Sequence, residues 1–377
     1  MKKNFLLTPG PTPVPAEALL AMARPTIHHR TPAFKAIFKE MNENLKYLFQ
    51  TKNDIFTFAG SGTSAMEAAA VNLLSPSDKA ICVQGGKFGE RWTEICRAYQ
   101  VKVITIDVAW GQAVNPKQIE KELQNNKDVK AVFTTQCETS TGVLTDIEAI
   151  AKMMKSKDAV LVTDAVSSLG GVDLQTDNWG VDVVVSGSQK GLMIPPGLAF
   201  CSVSKKAWKL VEQSKSPRYY LDFRLAKKAL DKSDTAFTPA VTLCIGLNET
   251  LNMIKQMTLP VIFEHNRRLA RAVRAAVKAI GLELFAQNPA DVVTSVYAPQ
   301  GIDTAQLVKI MRDEYGVSIA GGQGDFKGKI FRIAQMGYMN EFDIIVGISC
   351  LEMVLKRMGY EFELGNGLSA AEKELLR

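Results

Sequence analysis

Between residues 35 and 205, short apolar runs alternate with stretches whose apolar positions recur every three or four residues. IFTFA (55–59), AICVQ (80–84), VKVITID (101–107), VKAVFTT (129–135), AVLVTD (159–164), VDVVVS (181–186) and LAFCSVS (198–204) have the length and β-branched content of strands. Stretches between them, such as SAMEAAAVNLL and TDIEAIAKMMKS, have helical spacing. Strands that are apolar on both faces and alternate with helices predict a mainly parallel sheet covered on both sides. Only eleven residues (187–197) separate the last two runs, marginal for a crossover helix, so the seventh strand is expected to be antiparallel.

After residue 257 the pattern changes. A long helix over 260–280, strands near 291–298, 317–320 and 330–334, and helices near 303–315 and 340–358 predict a smaller α+β domain. The N-terminal TPGPTPVP is too rich in proline for regular structure and reads as an extended strap. The expected division is a strap over 1–14, a large domain over 15–257 and a small domain over 258–377.

Composition narrows the function classes. With 45 Lys+Arg against 39 Asp+Glu the net charge is +6, mild for 377 residues, and no dense basic block points to nucleic acid. Arg267, Arg271, Arg274 and Lys278 recur on one face of the long helix without interleaved aromatic residues, which predicts a solvated face. No run approaches the roughly 20 apolar residues of a membrane span, and MKKNFLLTPGPTP is too short for a signal sequence. The six cysteines are scattered without a C-x-x-C pair, which fits reduced thiols and a cytoplasmic protein. Three histidines, two of them adjacent, make a histidine zinc site a poor expectation.

Ligands of open α/β sheets bind at the carboxyl ends of the strands, so those ends carry the candidate chemistry. The first strand runs into GSGTSAMEAA, where Gly60, Ser61 and Gly62 allow a tight turn and a helix is expected from about Thr63. Free N–H groups at a helix start suit a phosphate. A dinucleotide is disfavoured, because the second strand ends in Gln84 where an acid is needed. The fifth strand ends at Asp164, which alone would read as a helix cap. The sixth delivers Lys190 to the same edge, where desolvation would lower its pKa and make it nucleophilic. Thr139 and Ser140 follow the fourth strand, and Phe88 follows the second as an aromatic plate or as core. One cofactor uses all of these parts: pyridoxal phosphate needs a lysine, an acid for its ring nitrogen, a phosphate cup and an aromatic on its ring face.

The segments TPGPTPVP, GSGTSAMEAA, ETSTGV, DAVSSLGG, SGSQKGLMIPPG, SPRYYLD, TPAV and FRIAQMGY, in that order, resemble the class V aminotransferases of the alanine/serine–glyoxylate group. The resemblance runs from about residue 5 to 360 and implies an α/β fold-type I transferase, with a seven-stranded sheet and a smaller α+β domain, that acts as a homodimer. It implies that Lys190 carries the cofactor, Asp164 holds the ring nitrogen, and Val166 faces the ring opposite Phe88. Thr139 would bond near the ring hydroxyl. Backbone at Gly62 and Thr63, with Gln189, would hold the phosphate, completed by Thr235 and Thr238 of the neighbouring subunit. Arg332 would take the substrate carboxylate, with backbone at Gly10 nearby.

Two positions depart from the pattern, since eukaryotic members usually have tryptophan in place of Phe88 and tyrosine in place of Thr235. The expected reaction moves an amino group between alanine, serine or aspartate and glyoxylate, pyruvate or 2-oxoglutarate. Two rivals stay open at this point. One is a cysteine-desulfurase-type lyase, for which Cys137 is the nearest thiol, and the other is a non-catalytic nucleotide-binding protein on the same sheet. His28-His29-Arg30 matches a pair common in the family, and a structural place beneath the strap is an equal expectation.

Overall fold

The computed structural model describes residues 3–377. All seven runs of the large domain form strands of one sheet: β1 (Asp54–Gly60), β2 (Lys79–Gln84), β3 (Lys102–Asp107), β4 (Val129–Thr135), β5 (Val160–Asp164), β6 (Val183–Gly187) and β7 (Gly197–Val203). Their spatial order is β1-β7-β6-β5-β4-β2-β3. Strands β2 to β6 pair in parallel, and β7 runs antiparallel to both neighbours. The short 188–196 connection holds no crossover helix, as its length required.

The unbroken apolar runs follow from burial on both faces. Val184, Leu161, Leu198 and Phe200 pack into one core layer, with Phe34, Phe38 and Leu45 of the helix Pro32–Leu48. Val183, Val185, Val160, Val162, Ala199 and Cys201 point the other way, onto Ala65, Ala68 and Ala69 of the helix Gly62–Leu73. Small residues on that helix let it lie close to the sheet, which fixes the position of its N-terminus at the carboxyl edge.

The C-terminal region has its own core, formed by the long helix Leu259–Ala279, the helix Glu341–Arg357 and a three-stranded sheet. That sheet contains β8 (Val293–Tyr297), β9 (Ala320–Gly321) and β10 (Ile330–Ala334), with β10 central and antiparallel to both others. The single strand expected over 317–320 is split. Val317–Ser318 pairs in parallel with Phe5–Leu6 of the N-terminal segment, and Ala320–Gly321 pairs with β10. Leu7 is buried in the C-terminal core, so the strap is fastened there.

The arginine stripe is more than a solvated face. Arg267 and Arg271 pair with Glu264, whereas Arg274 is partly buried, pairs with Asp291 at 3.1 Å, and donates to the carbonyls of Pro289 and Ala290. Among the described residues no helix is long and apolar enough to cross a membrane.

Candidate active site

Lys190 lies in the loop between β6 and β7, where the antiparallel return leaves space for a side chain to project from the sheet edge. The loop is fixed by its own polar groups. The Ser188 hydroxyl donates to the Pro195 carbonyl at 2.8 Å and accepts the Leu198 N–H at 3.2 Å, while the Thr12 hydroxyl of the strap donates to the Lys190 carbonyl at 2.9 Å. Gly10 of the strap, at φ +104°, lies against the Lys190 stem so closely that an added Cβ would come within 2.7 Å of Cε. A glycine is required there on both counts.

Lys190 is 5% exposed as a whole and lines a cavity of about 300 Å³. It donates to Ser167 Oγ at 2.6 Å and to Thr139 Oγ1 at 3.2 Å, and these two hydroxyls also bond to each other. Burial, with the nearby charge of Arg332, pulls its pKa down to about 8 against the opposing pull of Asp164. Asp164, at the end of β5, lines the same cavity and accepts the Val166 N–H at 2.8 Å. Burial pushes its carboxyl up to about 6. The helix-cap reading does not hold: the chain after Asp164 forms turns, and no regular helix begins until Thr176.

The cavity gathers most of the expected residues: Gly10, Gly62, Thr63, Phe88, Thr139, Val166, Gln189 and Arg332 line it with Lys190 and Asp164. The helix after β1 begins one residue early, at Gly62, which packs so tightly that a Cβ would meet Val166 Cγ2 at 2.6 Å. Its first N–H groups have no partner within the helix. The Gln189 amide lies at the same corner, its Oε1 buried without a partner and 3.1 Å from where a Cβ on Gly187 would stand, a point also 3.1 Å from the Gly62 nitrogen. Phe88 sits on the helix Lys87–Ala98 with its ring centroid 5.4 Å from Lys190 Nζ.

Arg332, on β10, is 5% exposed and has no carboxylate partner among the described residues. Its Nε and Nη2 donate to the Gly321 carbonyl at 3.0 and 2.7 Å, and its Nη1 to the Thr139 carbonyl at 2.8 Å. Burial pulls its pKa down to about 10, so it stays charged at neutral pH.

Thr235 and Thr238 are not at this cavity within one chain. They line a separate hollow with Phe38, Phe58 and Tyr220. The Thr235 hydroxyl is enclosed there, whereas Thr238 is exposed. Arg30 is also elsewhere. It is not beneath the strap but donates to Asp234 Oδ1 at 2.5 Å and to the Thr235 carbonyl at 2.8 Å, tying down the segment that carries both threonines.

Among the residues in or beside the site that escaped the sequence reading, three bear on its chemistry. Ser167 is the closest partner of Lys190. Arg91 lines the cavity and donates to Thr63 Oγ1 at 3.2 Å. Glu138 is a buried carboxyl that accepts the N–H groups of Phe88 at 3.1 Å and Gly89 at 3.0 Å, and so fixes the helix start that carries Phe88. Only Glu138 left a trace, as an acid within a buried stretch between two strands. Cys137 beside it is buried, with its thiol pushed up to about 12, the opposite of a nucleophilic cysteine.

Residues 5–327 match the family model "Aminotransferase class-V". A protein named "Soluble hydrogenase, small subunit" from Synechococcus sp. is 43% identical over 99% of this chain and 98% of its own length. The L-aspartate–glyoxylate aminotransferase of Paracoccus denitrificans is 36% identical over 98% of this chain and 96% of its own. The crystal structure of ureidoglycine–glyoxylate aminotransferase from Bacillus subtilis superposes with a TM-score of 0.95 at 30% identity, covering 100% of this chain and 99% of that one. A cysteine desulfurase from Thermococcus onnurineus shares the fold at a TM-score of 0.72 but only 16% identity. A buried lysine and a buried acid at the carboxyl edge of this sheet, with a family match across most of its length, place the chain in the class V aminotransferase family, whose cofactor is pyridoxal phosphate.

Proposed function

We propose that the chain holds pyridoxal phosphate at Lys190 and moves an amino group from a small amino acid to glyoxylate. The observation that carries this is the pairing in one cavity of a desolvated lysine with a desolvated carboxyl. The residues fit the group: the amine of Lys190, the acid of Asp164, the ring of Phe88, the N–H groups that open the helix Gly62–Leu73 and the side-chain amide of Gln189, whose NH2 can donate, border the same cavity of about 300 Å³.

Bound there, the cofactor supplies an aldehyde that condenses with amines and a ring that withdraws electrons from the substrate Cα. The protein's residues supply the rest. Lys190 Nζ would anchor the aldehyde and, once freed by the substrate amine, would accept the proton lost from the donor's Cα and, in the return half-reaction, give a proton to the Cα of the new amino acid. Its lowered pKa leaves a usable fraction neutral near pH 7, as a base requires. Asp164, paired with a cationic ring nitrogen, would be held ionised and keep that nitrogen protonated. Phe88 and Val166 bound the space from the walls, and Arg332 offers two unused N–H groups to a carboxylate.

The donor is aspartate, serine or alanine, and relatives named for aspartate–, serine– and ureidoglycine–glyoxylate activity support glyoxylate as the acceptor. A homodimer fits the exposed Thr238 and the aromatic cluster of Tyr219, Tyr220 and Phe237 beside it, with Tyr219 74% exposed. Six buried, unpaired cysteines fit a cytoplasmic location.

Borohydride reduction of the cofactor-loaded protein, followed by peptide mass mapping, is expected to place the pyridoxyl group on Lys190. The Lys190→Ala protein is expected to be unlabelled and inactive. A label on another lysine would overturn the assignment.

A further inference from the structure

We propose that Arg91 is the cation that anchors the cofactor's phosphate. The proposal rests on the reading of the cavity given above and adds to it a charged partner that the backbone donors cannot supply. Three cations line the cavity, Arg91, Lys190 and Arg332, against one carboxylate, Asp164. Two of the cations are committed. The Lys190 ammonium is held by Ser167 and Thr139, and the Arg332 guanidinium is fixed by the carbonyls of Gly321 and Thr139, with its two remaining N–H groups assigned above to the substrate carboxylate.

Arg91 is the one left over. Its contacts are the hydroxyl of Thr63 at 3.2 Å and the Phe88 ring, whose centroid is 4.8 Å from its Cζ, and no carboxylate pairs with it among the described residues. Both contacts follow from its place on the helix Lys87–Ala98, one turn after Phe88. Thr63 is the second residue of the helix Gly62–Leu73, so the guanidinium stands at the same corner as the unpaired N–H groups of that helix and the Gln189 amide. A phosphate dianion there needs neutralising charge as well as neutral donors. A planar guanidinium that keeps N–H groups beyond the one on Thr63 matches phosphate geometry. The ring contact holds the side chain in place without consuming donors.

The test uses the full-length protein freed of cofactor, titrated with pyridoxal phosphate and, separately, with pyridoxal, which lacks the phosphate. Arg91→Gln is expected to weaken pyridoxal phosphate binding by about 10- to 100-fold, the range for losing a hydrogen bond to a charged group, and to leave pyridoxal within about twofold. Inorganic phosphate should compete with pyridoxal phosphate for the wild-type protein and lose that ability in the variant. Arg91→Lys, which keeps the charge, is expected to restore part of the preference for the phosphorylated form, and it serves as the readout if Arg91→Gln does not fold. An equal loss for both aldehydes in Arg91→Gln would make Arg91 a support for Phe88 only and overturn the proposal. So would unchanged pyridoxal phosphate affinity with a raised KM for a dicarboxylic donor, which would assign Arg91 to the substrate. A wild-type protein that binds neither aldehyde would instead sink the cofactor reading itself.

Discussion

The ammonium of Lys190 donates to the hydroxyl of Ser167 at 2.6 Å, and Ser167 lies three residues beyond Asp164 on the turn that leaves β5. The acid and the serine therefore reach Lys190 from one rigid segment, the acid through its charge and the serine through a hydrogen bond. An acceptor at Nζ favours the protonated amine, so Ser167→Ala is expected to shift the Lys190 pKa below about 8. The rate at which the cofactor-free protein captures pyridoxal phosphate, followed against pH, should show its midpoint moved to lower pH. A midpoint that does not move would mean that the Ser167 hydrogen bond does not tune the amine, leaving burial and the nearby charges to set it.

The part of this site that could be read from sequence is the part that breaks a pattern. Lys190 and Asp164 stand out because each ends an apolar run with a charge. Ser167 and Arg91 do not, because serines in turns and arginines on helices are ordinary. Their meaning comes from partners 23 and 28 residues away, Lys190 and Thr63. Arg332 is similar, since its role depends on the Thr139 carbonyl, 193 residues distant. For the fold, the central strands β5 and β6 were plain because burial on both faces keeps them apolar, whereas the edge strand β3, exposed at Lys102 and Asp107, was legible from its β-branched residues. The helix Pro32–Leu48 carried a usable signal in Thr31-Pro32, a capping residue followed by proline at the first helical position. The helix Val241–Met257 carried little, because Val241, Cys244, Leu247 and Leu251 are interleaved with buried polar residues such as Asn248 and Thr250.

Asp164 and Lys190 make opposite contributions to the pH dependence of stability in the cofactor-free protein. The Asp164 carboxyl is raised from 3.8 to about 6, so the folded state binds more protons than the unfolded one between those values. Stability from this group is therefore lost as pH rises from about 4 to about 6, by up to about 3 kcal/mol. The Lys190 amine is lowered from 10.5 to about 8, so stability from it is regained between about pH 8 and 10.5. Urea unfolding across pH is expected to show both slopes, and Asp164→Asn should remove the first. The same variant should fold well yet turn over orders of magnitude more slowly, because the ring nitrogen loses its counter-charge. Near-normal turnover in a folded Asp164→Asn protein would reduce Asp164 to a turn-forming residue.

Thr238 is exposed on the segment that Arg30 holds through Asp234 and the Thr235 carbonyl, while the Thr235 hydroxyl is turned inward. If a second subunit completes the phosphate cup, Thr238 is the residue that reaches it. Thr238→Ala is expected to weaken cofactor affinity by about 1 kcal/mol, a typical net hydrogen bond, without changing the sedimentation coefficient. Dilution of the wild type should release cofactor in step with dissociation. A monomer that stays fully loaded in sedimentation would rule out the shared site.

Arg332 sits where a carboxylate can be recognised by shape as well as charge. Its guanidinium has five N–H groups, of which Nε and one on Nη2 are spent on the Gly321 carbonyl and one on Nη1 on that of Thr139. Two remain, one on each terminal nitrogen, and Arg332 lines the cavity beside Ala320 and Gln323. The three backbone contacts fix the plane of the group before any substrate arrives, so little side-chain entropy is left to lose on binding. They also tie two parts of the fold together, because Gly321 belongs to the three-stranded sheet and Thr139 follows β4 of the large one. A lysine at this position keeps the charge but cannot satisfy both carbonyls and still offer a two-pronged donor. Arg332→Lys is therefore expected to raise KM for the amino acid and the keto acid alike. The loss in kcat/KM should be on the order of 2–4 kcal/mol, the range for truncating a buried charged pair, with the visible absorbance of the bound cofactor little changed. Amino-donor kinetics on the variant decide the matter. An unaltered kcat/KM for its best donor would send the carboxylate site elsewhere, and within one chain Arg30 is no substitute, since it is occupied with Asp234 and Thr235.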